Sequence, residues 1–441
     1  MNISNIIPKK IFPILLVNFI GILGYSVVVP ILIFIVVDFG GNGFIYGLLG
    51  AMYPFFQFIG APILGRLSDR IGRKKVLLIS QLGTFIEWIF FLIAFLLPNT
   101  ELWSQDNDVT GSYIMTLPLI MIFIARIFDG FTGGNVSVAN AYLSDISTDE
   151  DRDKNFAKMG ASTSTGFIIG PVLAGLLAST VLGEALPLII AAIISLIAIF
   201  VIKVQLKESN PCVVDTTNTR SFRRFFQVEH RDCYTEGEKE AGVKQKGWQA
   251  VLNQPGIPKL YAVYFLTFLA FSLFYAGLPL YANTILNWTA TDLGAFLSYS
   301  SIIMFITQGP ILSKLTEHYN NKTLIIAGTL LLSVSFFLLT NPNTVILYLS
   351  MTILSLGNGI MWPSFMSLLA KTGDHSTQGS IQGYGSSMGS FASMIGLLVG
   401  GFLFESITVT VFIIGAILFL CISILMTLKS RRRDLTVTQT T

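Results

Sequence analysis

Gly65-Arg-Leu-Ser-Asp69-Arg-Ile-Gly72-Arg73-Lys74-Lys75 stands between two long apolar segments, and a fainter copy of it returns in the second half of the chain. From Pro62-Ile63-Leu64 onward it aligns with Pro310-Ile311-Leu312, matching Arg66 with Lys314, Ser68 with Thr316, Asp69 with Glu317 and Lys74 with Lys322. Each copy is a basic turn joining two apolar runs, so the chain reads as two related membrane halves. Composition agrees: 52% hydrophobic and 12% charged residues over 441 positions, with a mean hydropathy of +0.68, do not describe a soluble domain.

A helix needs roughly 20 residues to cross about 30 Å of hydrocarbon. Runs of that length begin near Phe12, Phe44, Val76, Leu117, Phe156 and Leu186, and again near Leu260, Leu293, Leu324, Val345, Gly379 and Ile407. Backbone polar groups in lipid must find partners within the chain. The expected fold is therefore an all-α integral membrane protein, with twelve transmembrane helices in two pseudo-symmetric six-helix bundles. The bundles span residues 1–204 and 258–430, with a linker over 205–257 and a tail over 431–441.

Charge gives the orientation. Of the 28 Lys and Arg residues, all but Arg126 fall on the side of the amino terminus, the Arg66–Lys75 turn and the linker. The opposite loops carry acids instead, among them Asp38, Glu101, Asp106, Glu184, Asp292 and Glu405. Both termini are thus expected in the cytoplasm. The net charge of +3 follows from this sorting; basic residues beside helix ends meet anionic lipid, and no nucleic-acid partner is implied. The linker reads as a solvated connector, with an amphipathic surface piece at Trp248–Leu252 as the alternative. Cys212, Cys233 and Cys421 form neither a disulfide framework nor metal-ligand spacing, and no metal is expected. The apolar run from Ile11 to Val37 is too long for a cleaved signal, so the first helix is expected to stay.

The Gly65–Lys75 passage resembles the signature between helices 2 and 3 of the major facilitator superfamily. Two further motifs fall where that family has them. The fourth span carries Arg126-Ile-Phe-Asp129-Gly130, running on to Ala141-Tyr142-Leu-Ser-Asp145. The fifth carries Gly166-Phe-Ile-Ile-Gly170-Pro171-Val-Leu-Ala174-Gly175, which is similar to the antiporter signature of drug/proton exchangers. The passage from span 4 to span 5 looks like the tetracycline/proton antiporter branch. The resemblance covers essentially the whole chain and implies a monomeric transporter in a bacterial plasma membrane. There are departures: the family often has Gln at Asp129, Ala174-Gly175 stands for a doubled Gly, and Ala157 stands for the opening Gly of the antiporter signature. The acid that tetracycline exporters carry in the second half has no counterpart, which argues against tetracycline as substrate.

Physical chemistry divides these residues by role. Gly166, Gly170 and Gly175 make a small-residue face with Pro171 as a kink point, and Gly385, Gly389, Gly396 and Gly400-Gly401 echo it in span 11. Spans 5 and 11 are expected to be equivalent packing elements about which the halves rock; glycines that merely fill tight crossings are the compatible alternative. Only Glu87, Arg126 and Asp129 place charge inside the membrane, at about 2.5 to 3.5 kcal/mol each on lenient scales. A carboxyl withdrawn from water holds its proton more tightly, as a group that loads and releases a proton must. Glu87 and Asp129 are expected to couple protons with Arg126 tuning Asp129; the alternative is a static Arg126–Asp129 pair, since three residues of spacing share a face. The resemblance implies a cytoplasmic gate of Gly65, Asp69, Gly72, Arg73 and Asp145 that latches the halves, against a solvated topology signal. Arg70, Lys74 and Lys75 read as positive-inside anchors.

As in the family, the substrate site is expected near the midplane between spans 1, 4, 7 and 10. Asn18, Tyr25, Gln57, Asn135, Asn140, Tyr264, Phe268, Phe271, Tyr275, Asn358 and Trp362 are its candidates, each aromatic being open to a packing or lipid-facing role instead. This lining suits an amphipathic or lipophilic molecule better than a phosphate or inorganic anion, which would want more Arg or Lys. No phosphate-cradling Gly-rich loop appears and the linker is too short for a nucleotide-binding domain, so no cofactor is expected and a gradient must supply the energy. The leading expectation is a proton-coupled exporter of drugs or amphipathic metabolites. Uptake by symport or facilitated diffusion is the runner-up, and a receptor without transport the reading from another class. An enzyme is not expected, because His230, His318 and His375 all lie in loops, away from any nucleophile in the membrane.

Overall fold

The computed structural model describes residues 10–107, 110–133, 135–148, 151–209, 251–372 and 378–428. The side chains of Asp69 and Asn135 lie outside that description, as does nearly all of the linker and the tail. In the first half, α1 (Phe12–Val28) and α2 (Leu32–Asp38) form one span bent by 42°. Pro30 sits in the break, where it has no amide hydrogen to give. Then come α3 (Gly43–Ile71), α4 (Arg73–Ala94), the pair α5 (Leu117–Thr132) and α6 (Asn135–Ile146), α7 (Arg152–Ala178) and α8 (Ala185–Gln205). The second half has α9 (Ile257–Thr284), α10 (Ala290–Ile306) running through a π-helical turn into α11 (Leu312–His318), α12 (Asn321–Leu338), α13 (Thr344–Lys371), α14 (Gln378–Ile407) and α15 (Thr410–Thr427). Among the described residues ten helices are long and apolar enough to cross a membrane, and the bent first pair makes an eleventh. Helices α5 and α6, on either side of residue 134, together supply the fourth span, which completes the expected twelve.

Helix starts are fixed by side chains that accept the otherwise orphaned amides. Asn42, Asn320 and Asn343 cap α3, α12 and α13, and Thr289 with Asp292 forms a reciprocal capping box on α10. One element adds to the all-helical expectation. Between α4 and α5 the chain forms an antiparallel hairpin, β1 (Glu101–Gln105) on β2 (Tyr113–Thr116). It is tied to the turn after α2 by the Ile114 amide on the Gly40 carbonyl at 2.8 Å and the Thr116 hydroxyl on the Phe39 carbonyl at 2.7 Å. The surface carrying this hairpin is called the far face below, and the one carrying the α3–α4 turn and the linker ends the linker face.

Packing repeats between the halves. Within the first, α1 lies on α7 and α8, α4 on α5 and α8, and α3 on α5; within the second, α9 lies on α14 and α15, α12 on α13 and α15, and α10 on α13. The halves meet along two seams, α3 against α14 and α7 against α10. Spans 5 and 11 therefore do occupy matching positions, each at a seam, but they face spans 8 and 2 rather than each other.

The cores of the halves differ. Buried apolar side chains at the linker end of the first half, such as Ile14, Leu64, Leu77, Leu143 and Ile202, form a cluster of their own. A second cluster runs from the far end of the first half through the whole second half. Between them lies a buried polar belt: Ser80, Gln81, Thr84 and Glu87 on α4, Arg126 and Asp129 on α5, and Ser195 on α8. In the second half, tyrosines aside, the described buried polar side chains are all Ser or Thr.

Candidate functional site

The charged residues of the belt converge. Glu87 is fully buried and Arg126 and Asp129 are 4% and 5% exposed. Arg126 Nη1 lies 3.0 Å from Glu87 Oε1, so the guanidinium pairs across to α4 instead of forming the alternative static pair with Asp129 on its own helix, while its charge still acts on Asp129. The helix spacing shares a face, but the α4–α5 packing supplies a nearer partner. The approach is close without being well aligned, for neither Glu87 oxygen has a formed hydrogen bond. The guanidinium also rests over the Phe91 ring, 5.2 Å from its centroid. Asp129 lies beside Glu87 and accepts from the Thr84 hydroxyl at 2.7 Å. Two carboxyl groups this close repel unless one is protonated or a cation lies by them, and Arg126 is that cation. Tyr25 and Tyr53 are within electrostatic reach of all three.

The tyrosines lead toward the second half. The Tyr25 and Tyr53 rings meet tilted at 5.6 Å, and Gln57 donates to the Tyr53 hydroxyl at 3.0 Å and the Gly133 carbonyl at 2.9 Å. Facing them from the second half, Tyr275 keeps 43% of its surface open while lying within electrostatic reach of Tyr25. Deeper in that half, Tyr264 and Phe268 stack nearly parallel at 4.9 Å, with Trp362 edge-on to both at 5.6 and 5.5 Å. Other candidates are committed elsewhere. Asn18 is buried and donates to Thr163 on α7 at 2.8 Å, Phe271 packs into Phe336 and Phe419 of the core, and Asn358 turns to the Met304 sulfur at 3.4 Å. Asn140 is half-buried on α6, and the Asn135 side chain lies outside the described residues.

At the linker face Arg73 reaches Asp145 at 3.1 Å and the Ser68 hydroxyl at 2.6 Å, both in its own half, so this contact does not itself join the halves. The Asp69 side chain is outside the described residues. Sequence reasoning missed Glu208 and Ser209, just beyond α8. Glu208 accepts from the Arg73 and Lys74 amides at 2.7 and 3.2 Å, capping α4, and Ser209 donates to Asp145 at 2.9 Å. Gly72 has φ +108°, and a Cβ there would strike the Glu208 carboxylate. An acid right after an apolar span is the only signal the sequence offered. Glu208→Ala is expected to cost about 1 kcal/mol, as lost caps do, read as a thermal-shift decrease of a few degrees with the Arg73–Asp145 contact loosened. An unchanged melting temperature would show that the cap is dispensable.

The span 5 glycines split by role. Gly166 and Gly170 pack on α1, where Ser26 donates to the Gly166 carbonyl at 2.9 Å and a Cβ on Gly170 would hit the Ser26 side chain. Gly175, one turn past Pro171, meets Gly294 across the seam: a Cβ on it would lie 2.9 Å from the Gly294 carbonyl carbon. On the other seam a Cβ on Gly401 would lie 2.5 Å from the Gly43 carbonyl and 2.7 Å from Gly47 Cα. Beside that crossing Glu405 accepts from the Gly43 amide at 2.6 Å, and Tyr46 donates to the Tyr275 carbonyl at 3.0 Å. All these contacts lie toward the far face. Toward the linker face, Gly65, Gly160 and Gly309 on the same helices have open space where a side chain would start, as Gly24 and Gly183 do elsewhere. Among the described residues, the backbone-to-backbone glycine contacts between the halves lie toward the far face.

Comparison with known proteins bears on the whole chain. The model of the Major Facilitator Superfamily matches residues 14–323 and again 260–440. The chain is similar to the class H tetracycline resistance protein of Pasteurella multocida, at 26% identity over 400 residues covering 90% of this chain and 89% of that one. It is also similar to multidrug resistance protein 1 of Bacillus subtilis (strain 168), at 27% identity over 405 residues and 89% of each chain. Among solved structures, the human organic anion transporter MFSD10 (TETRAN) superposes with a TM-score of 0.66 at 19% identity, covering 97% of this chain and 100% of that one. That likeness speaks to the fold.

Proposed function

Because this chain belongs to the Major Facilitator Superfamily, and so is a multi-pass membrane transporter of small molecules and not an enzyme, we propose that it is a proton-coupled antiporter exporting drugs or amphipathic compounds. The observation that carries this reading is the buried Glu87–Arg126–Asp129 group, with Tyr25 and Tyr53 within electrostatic reach of it. Relatives named for tetracycline and multidrug resistance support export. The aromatic lining from Tyr264, Phe268 and Trp362 suits a lipophilic cargo.

In this reading both termini and the linker are cytoplasmic in a bacterial plasma membrane, and the protein works as a monomer of two bundles, residues 1–204 and 258–430. Cargo enters from the linker face; the halves then rock so that the far-face seams part as the linker face closes, and a proton returns inward through Asp129 and Glu87. Asp69, Arg73 and Asp145 are the latch that closes the cytoplasmic side in the other state. One proton crossing 100 mV yields about 2.3 kcal/mol, against about 1.4 kcal/mol for each tenfold concentration ratio, so modest accumulation is within its reach. Asp129→Asn is expected to lower proton-driven efflux of ethidium or tetracycline from membrane vesicles at least tenfold and to flatten its pH dependence. Unchanged proton-driven efflux would overturn the coupling role.

A further inference from the structure

Asp129 lies three residues from Arg126 on one helix, yet the guanidinium is taken by Glu87 on the neighbouring helix. What holds Asp129 instead is Thr84. Its hydroxyl, buried one turn before Glu87 on α4, donates to Asp129 Oδ1 at 2.7 Å. A second acceptor, the Ser80 carbonyl, lies 3.5 Å away, so the hydroxyl can turn from one to the other. When Asp129 takes up a proton it gains an O–H that needs an acceptor in a site without bulk water. A hydroxyl is both donor and acceptor. Thr84 Oγ1 can therefore accept from the protonated acid while its own proton turns to Ser80, leaving no buried polar group orphaned in either state.

We infer that Thr84 is the positioning residue of the coupling site: by holding Asp129 it leaves Arg126 to Glu87, and so makes Asp129 the carboxyl that exchanges protons. The titratable and charged groups that face Asp129 come from four helices. They are Glu87 on α4, Arg126 on α5, and Tyr25 and Tyr53 on α1 and α3, of which the tyrosines are neutral at working pH. Glu87 keeps the Arg126 cation as its partner and also lies against Asp129, while the bond that Asp129 takes from Thr84 is one that can reverse its direction. The inference rests on the proton-coupling reading above.

Its test needs no cargo. In the purified full chain, the infrared carbonyl band lost in Asp129→Asn reports protonation of Asp129, and its intensity is followed against pH. Thr84→Val keeps the shape and removes the hydroxyl; because the bond Thr84 donates to the charged carboxylate is stronger than the one it accepts from the neutral acid, the midpoint of that band is expected to rise by about one pH unit. Thr84→Ser is expected to restore the wild-type midpoint. If the valine variant fails to insert, Thr84→Ala serves in its place with the same expected shift. An unmoved midpoint, or a band that does not titrate at all, would overturn the assignment of Thr84. Proton-driven efflux that survives Asp129→Asn would instead overturn the coupling reading, so the two failures are told apart.

Discussion

Gly401→Val is expected to prevent closure of the far face and to reduce transport by at least tenfold. The new side chain would begin 2.5 Å from the Gly43 carbonyl oxygen and 2.7 Å from Gly47 Cα, and both are backbone atoms of a long helix that cannot turn aside. Overpacking of this kind costs about 1 to 3 kcal/mol. Two-state transporters are separated by only a few kcal/mol, so one such residue inverts the balance of states. Gly294→Val on the second seam is expected to act alike, and the pair together more strongly. A cysteine at Tyr275, placed in a background without the native cysteines, reads the result: its labelling by a membrane-impermeant thiol reagent from the far side should rise about tenfold. Gly160→Val, where open space awaits the side chain, is the control expected to change little. Normal labelling and normal transport in Gly401→Val would show that the seam tolerates separation and that the far-face closure rests elsewhere.

Removing Arg126 is expected to have the second large effect, on the fold as well as on transport. Arg126→Ala would leave Glu87 and Asp129 buried side by side with no cation. Stripping one partner from a buried ion pair costs about 3 to 5 kcal/mol, which should show as a severalfold loss of folded protein in the membrane. The double variant Glu87→Gln with Arg126→Gln removes both charges of the pair and is expected to recover most of that yield while proton-driven transport stays low. Yield measured by fluorescence-detected size exclusion, alongside vesicle transport, separates the outcomes. If the double variant regains transport as well as yield, the pair is a brace for α4 on α5 and nothing more.

The fold was legible because membranes impose long-range order on sequence. Hydropathy marks each span, Lys and Arg sort by side, and the repeat of Gly65–Lys75 in Pro310–Lys322 divides the chain in two. The charged cluster was legible for the same reason: in apolar helices Glu87, Arg126 and Asp129 stand out singly, and the structure gathers all three. What the sequence could not convey is partner choice. The spacing of Arg126 and Asp129 describes one helix, whereas the pairing with Glu87 depends on how α4 lies against α5. Thr84 and Glu208 were missed because a hydroxyl or a loop acid acquires meaning only from the atom it meets. Asn18 and Phe271 were read as site residues by composition, though packing turned them into the bundles. The hairpin over Glu101–Thr116 escaped notice because strands of four and five residues give too short a run for a period of two to register.

The crossing of Gly47 and Gly401 has a mechanical consequence. It lies near one end of α3, which continues as an unbroken helix to Ile71 at the linker face. At 1.5 Å per residue the arm beyond the crossing is roughly 36 Å long. An arm of that length turning by only about 10° carries its tip ~6 Å, enough to admit or shut out a small molecule. The glycine contact then sits close to one end of a long arm: ångström-scale adjustments where the backbones touch become a doorway at the other surface, and Pro54 and Pro62, each without an amide hydrogen to give, are the places along the arm where it bends.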